Sequence, residues 1–112
     1  MLFFKDDTLL ELAKNNTNIA ELYLQNSSEI TNVGMKSVLT NCVKLRVIHL
    51  DFLTKVDKEI MSCFEGFQLR ELREIQAKTN YHSHTKTRWG NNFSHNYLTV
   101  YCPKLYYFST VP

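Results

Sequence analysis

The chain has 112 residues, enough for one small domain, and its 44% hydrophobic and 21% charged residues place it among globular chains, not disordered ones. Thirteen basic and eleven acidic residues leave a net charge of +2, too small by itself to argue for a nucleic-acid or membrane partner. Three cysteines, Cys42, Cys63 and Cys102, are an odd count without compact spacing; they fit free thiols in a reducing compartment, so the expected location is intracellular, cytoplasmic or nuclear. The opening "MLFFKDD" is far short of a secretory apolar region, and no later run could span a bilayer, so no membrane partner is expected. The sequons at Asn15, Asn26 and Asn92 are accordingly expected to be unused.

In chain order, "FKDDTLLELA" (Phe4 to Ala13) reads as a helix with Asp6 or Asp7 as its N-cap. "NNTNIAELYL" then leads into a strand with Leu22 and Leu24 turned inward. "ITNVGMKSVL" (Ile30 to Leu39) is a second helix behind Thr31, and "NCVKLRVIHL" (Asn41 to Leu50) a second strand with Ile48 and Leu50 inward. "VDKEIMSCFEGF" supplies a third helical segment behind Asp57, and "LRELREIQA" a third strand. An irregular insertion at about 79–92 follows, "NYHSHTKTRWGNN" being its centre, with Trp89 as an anchor to the core or a contact point. "CPKLYYFST" closes the chain as a partial fourth copy.

The copies share one register. Cys42, Leu45, Ile48 and Leu50 lie 26 residues after Asn16, Ile19, Leu22 and Leu24, and 27 residues before Leu69, Leu72, Ile75 and Ala77. Cys102, Leu105, Phe108 and Thr110 repeat the pattern after the insertion. Spacings of three suit a turning chain and a spacing of two an extended one. A period of 26 to 27 falls in the range of leucine-rich repeats, each a short strand followed by a helix that cannot bury its apolar face alone. The predicted fold is therefore α/β: a leucine-rich-repeat solenoid of three to four repeats, residues 1–112 forming one domain, with parallel strands on the concave face and helices on the convex face. Ile19, Leu22, Leu24, Leu45, Ile48, Leu50, Leu72 and Ile75 are the expected continuous core.

The phrases "DDTLLELAKNN", "EITNVGMKSVLTNCVKLRVIHL" and "CPKL" carry a resemblance. The chain resembles the cysteine-containing leucine-rich repeats of F-box and leucine-rich-repeat proteins and of the related antagonist of mitotic exit network proteins, over Phe4 to Ala77 and more loosely over Asn91 to Thr110. It departs from them at Ser27, Leu53 and Asn80, where that family often has a second Cys, and an F-box-like helical segment ahead of the first copy is not expected. The resemblance implies a protein-interaction module that recognises substrates for a ubiquitin ligase of the Skp, cullin and F-box (SCF) type. Adaptor binding is not expected from this chain alone. A free-standing repeat scaffold or inhibitor is the alternative within binding functions.

In each strand the residues flanking the core positions face outward. They are Glu21, Tyr23 and Gln25, then Val47, His49 and Asp51, then Glu74, Gln76 and Lys78, with Tyr107 and Ser109 last. Columns across the sheet such as Tyr23, His49 and Gln76 make the expected contact strip for another protein.

Other chemistry finds less support. Cys42 and Cys102 occupy the same position in their copies and read as small inward-facing side chains, as does Cys63 on its helix. His82, His84 and His95 with Cys102 form the one set that could hold a metal, but they lack the paired spacings of a tetrahedral site, so no metal and no cofactor are expected. No phosphate loop, nucleophile elbow or triad spacing is present, and the chain is not expected to be an enzyme. No acidic residue follows Glu74, while Lys78, Lys86, Arg88 and Lys104 accompany eight aromatics. That basic final third is the ground for a nucleic-acid reading, although Phe93, Tyr97, Tyr101 and Phe108 fall where a terminal repeat would bury them.

Overall fold

A computed structural model describes residues 5–78, 89–90 and 92–110. They form helix α1 (Asp6–Asn15), strand β1 (Glu21–Gln25), helix α2 (Asn32–Asn41) and strand β2 (Val47–Asp51). A 3-10 turn at Lys58–Ile60 runs into helix α3 (Met61–Phe64), followed by strand β3 (Glu74–Gln76), helix α4 (His95–Leu98) and strand β4 (Tyr107–Ser109). The fold is α/β, with one four-stranded parallel sheet whose spatial order, β1-β2-β3-β4, is the chain order. Parallel neighbours need a crossover, and each crossover here contains helical residues.

One turn explains the apolar spacing. The amide of Leu45 donates to the carbonyl of Cys42 (3.3 Å), Ile19 to Asn16 (3.4 Å), Leu72 to Leu69 (3.3 Å) and Leu105 to Cys102 (3.0 Å). Bonds between residues three apart bring the first and last side chains to the same side, and the chain then straightens so that sides alternate. Two donors next converge on one carbonyl. Arg46 and Val47 share that of Ala20, Arg73 and Glu74 that of Arg46, and Tyr106 and Tyr107 that of Arg73. The resulting register aligns Leu22 with Ile48, Ile75 and Phe108.

These aligned residues face the helices. Leu22, Leu24, Ile48, Leu50 and Ile75 are buried in one cluster with Leu9 and Ala13 of α1, Met35, Val38 and Leu39 of α2, and Ile60 and Phe64 beyond β2. Leu45 and Leu72 are buried too, while Ile19 and Phe108 are partly covered at the two flanks. At the β4 side the cluster becomes aromatic. Trp89 is 1% exposed and stacks on Phe93 at 5.1 Å, and Phe93 meets Phe108 edge-on at 5.0 Å. Trp89 thus ties its part of the insertion to the core; Asn80, His82, His84, Lys86 and Arg88 lie outside the described residues.

Helix starts follow the expected chemistry twice. Thr31 caps α2 by accepting from the Val33 amide (3.2 Å), and Asp57 accepts from the Glu59 amide (3.0 Å). At α1 the expectation is corrected: Lys5, without a side-chain cap, occupies the N-cap, and Asp6 and Asp7 fall in the first turn. The Asp6 carboxylate is engaged elsewhere, accepting from the Thr31 amide (2.8 Å) and the Thr31 hydroxyl. It reaches them because α2 carries Gly34. A Cβ there would collide with that carboxylate and stand 3.1 Å from the Asp6 Cα. Asn32 repeats the linkage one step on, donating to Asp57 Oδ1 (2.9 Å) and accepting from the Asp57 amide (3.0 Å).

Ile48→Asp is expected to abolish the cooperative melting transition, since it places an unpaired charge at a site with no solvent exposure. A melting temperature within a few degrees of the parent's contradicts the register. Gly34→Ala should cost about 1–3 kcal/mol by overpacking, whereas Val33→Ala, at a 62% exposed neighbour, should stay within about 0.5 kcal/mol of the parent in urea unfolding.

Candidate functional site

The side chains that alternate with the buried ones form the sheet face turned away from the helices. Tyr23 is 52% exposed and meets the His49 ring edge-on, with centroids 4.7 Å apart. Its hydroxyl donates to Glu21 Oε1 at 2.8 Å. That bond, with smaller contributions from desolvation and the Glu21 and Glu74 charges, pushes the phenol above its ordinary value. On the other side of His49, Nε2 lies 2.5 Å from Glu74 Oε2. Glu21, Tyr23, His49 and Glu74 therefore form a continuous polar and aromatic line across β1, β2 and β3.

The remaining expected contact residues take several environments. Gln25 is exposed at the β1 edge and Val47 is half-buried between Glu21 and Glu74. Tyr107, 42% exposed, stands beside Glu74, and half-buried Ser109 beside half-buried Gln76. The column Tyr23, His49 and Gln76 is in register as the spacing predicts, and Ser109 continues it on β4.

Asp51 is a correction. It was expected to face a partner, but it is only 2% exposed. Its carboxylate accepts from the Lys78 amide (2.9 Å) and from Gln76 Nε2 (2.7 Å). The cause is a mismatch in strand length: β2 runs to Asp51 while β3 stops at Gln76, so Lys78 lies past the strand end. The carboxylate takes up that amide and is itself satisfied, which a buried charge requires. Asp51 consequently ties β2 to the end of β3 and is not open to a ligand.

All three cysteines are free and buried. Burial raises the Cys42 thiol and pushes that of Cys102 up to about 11. The Cys42 Sγ lies 3.7 Å from the Asn16 carbonyl, and the His95 Nε2 lies 3.1 Å from the Leu105 carbonyl. Among the described residues no three His, Cys, Asp or Glu side chains gather as metal ligands, and His82 and His84 fall outside them.

A second feature was not anticipated. The turns ahead of β2, β3 and β4 carry Lys44, Arg46, Arg70, Arg73 and Lys104, all exposed. Lys44, Arg70 and Lys104 border a cleft of about 410 Å³, lined also by Val43, Gln68, Glu71 and Pro103. Lys104 Nζ is 2.6 Å from Glu71 Oε2 and holds that carboxyl below its usual range, helped by Arg73 and Arg70. The turn ahead of β1 is different: its cleft is lined by Asn15, Asn16, Thr17, Asn18 and Ile19. The signal for this rim was present in the register, since Arg46 and Arg73 each directly precede a strand. Sorting charges by position along the chain singled out Lys78, Lys86, Arg88 and Lys104 instead, and of these only Lys104 borders the cleft among the described residues.

Comparison with protein-family models, curated proteins and solved structures finds no match. Among the described residues no helix is long and apolar enough to cross a membrane.

The native thiols should react slowly with Ellman's reagent, and three equivalents should titrate after denaturation. A thiol raised in the folded state favours the neutral form, so its contribution to stability is full below its ordinary value of 9.0 and is lost as pH climbs to about 11. Cys102→Ala should therefore show a smaller loss of stability across that window than the parent, measured by urea unfolding at each pH.

Proposed function

We propose that the chain is a leucine-rich-repeat solenoid that recognises another protein through the sheet face turned away from its helices. By the resemblance of its repeat phrases, the activity it serves is substrate recognition for an SCF-type ubiquitin ligase. The observation that carries the reading is the line from Glu21 through Tyr23 and His49 to Glu74. It offers exposed ring surface beside oriented hydrogen-bonding groups on contiguous strands. Tyr23 and Tyr107 supply large contact area at small entropic cost, and their strands are already fixed by the ladder, so little ordering remains for binding to oppose.

The test is quantitative affinity capture from cells with three forms: the parent, Tyr23→Ala with His49→Ala, and Val33→Ser with Val100→Ser as a control at exposed sites outside the strands. The sheet-face pair is expected to lose about tenfold or more of the specifically captured protein, the scale of two interface anchors, with the control pair unchanged. Captured proteins should be stabilised in cells when ligase activity is blocked. Equal capture by the parent and the Tyr23 and His49 variant sinks the sheet-face reading, provided both melt alike.

A further inference from the structure

Of the basic rim at the starts of β2, β3 and β4, only Arg46 touches the line described above, through Glu21. Among the described residues Lys104 is paired with Glu71, and Arg46 lies 3.9 Å from Glu21, but Lys44, Arg70 and Arg73 have no carboxylate at salt-bridge distance. Lys44 on the turn ahead of β2, and Arg70 and Arg73 together on the turn ahead of β3, concentrate positive potential at one end of the sheet. Val43 and Pro103 add apolar surface between them.

We infer that this cleft binds an acidic segment of a partner protein, its carboxylates lying on Lys44 and Arg70 beside the Glu71–Lys104 pair. The inference rests on the protein-recognition reading for the class of partner, and adds the chemistry of what is recognised. Glu71 shows that the cleft accommodates a carboxylate: its side chain sits on Lys104, and the neighbouring arginines favour its charged form. Strand starts are about 4.8 Å apart across a sheet, and alternate residues of an extended peptide are about 6.7 Å apart, so acidic residues two apart can reach cations of adjacent turns. The lining favours a peptide over a nucleic acid, because it holds no aromatic ring on which a base could stack. Since the cations are exposed, the contribution is mainly to encounter and orientation, and it is sensitive to salt.

The probe is a fluorescein-labelled deca-glutamate peptide, with oligodeoxythymidine of equal charge as the comparison, both followed by fluorescence anisotropy at low and at physiological ionic strength. The parent should bind the peptide more tightly than the oligonucleotide. Lys44→Glu with Arg70→Glu should weaken it roughly tenfold, by removing two attractions and adding two repulsions. Glu71→Gln should tighten binding by about threefold, since it frees Lys104 and removes a competing carboxylate. Tyr23→Ala with His49→Ala should leave peptide binding unchanged. Failure of the peptide to bind, an unchanged affinity in the charge-reversed variant, or weaker binding in Glu71→Gln overturns the inference and leaves the sheet-face reading standing. Tighter binding of the oligonucleotide, lost on the same charge reversal, overturns it in favour of a nucleic-acid site. If the peptide behaves as expected while the Tyr23 and His49 variant still captures its partners fully, the acidic-segment site stands and the sheet-face reading alone falls.

Discussion

A sheet with apolar side chains on one face and polar ones on the other cannot slip by one residue without exchanging the two faces. In this molecule the shared carbonyls prevent that slip. Each of Ala20, Arg46 and Arg73 accepts two consecutive amides of the next strand, which fixes where that strand starts. The three-residue turns ending at Ile19, Leu45, Leu72 and Leu105 deliver the chain to that point with an apolar residue already facing the core. Everything on the outer face inherits this alignment. Tyr23 meets His49, and His49 meets Glu74, only because Leu22, Ile48 and Ile75 are level on the opposite side.

The same rule accounts for the polar groups that are not on display. Where strands differ in length, or where a helix begins against its neighbour, backbone amides lose a ladder partner and a side chain replaces it. Asp51 does this for Lys78, and Asp6 for Thr31. The positive φ at Asn26 and Phe52, each just past a strand, has a related role: their amides donate to the carbonyls of Asp51 and Lys78 and extend the ladder by a further rung. Asn tolerates that conformation, whereas Phe52 holds it at a cost of order 1–3 kcal/mol. The ladder and the burial of Leu50 and Leu53 on either side are what keep it there.

Periodicity made the core and the outward columns legible because both depend on side-chain alternation, which a single sequence displays directly. Thr31 and Asp57 were legible as caps for the same reason: a cap needs only its own residue type and the two residues after it. Asp51 was misread because its burial depends on β3 ending earlier than β2, and strand ends are set by the neighbour, not by the strand's own residues. Asp6 was misread because its best donor lies 25 residues away at Thr31, and reaching it requires the space left by Gly34. The basic rim escaped notice because its members are scattered along the chain and become neighbours only when the turns are stacked side by side.

Basic residues near strand starts also lie near helix C-termini, where a cation is stabilised by the helix dipole, so the rim could be explained by helix stability alone. The distribution argues against that. The dipole acts through aligned peptide groups and matters most for the ten-residue helices α1 and α2. Yet the turn after α1 has no charged residue from Asn15 to Ile19, while Arg70 and Arg73 follow α3, which is four residues long, as Lys44 and Arg46 follow α2. The α1 dipole is met within the helix itself by Lys14. Helix stabilisation accounts for Lys14 and for the cations after α2, but not for Arg70 and Arg73 after α3 or Lys104 after α4, each helix only four residues long. The positive charge is therefore a property of the rim as a surface, continuous with the face that carries Tyr23, His49 and Tyr107.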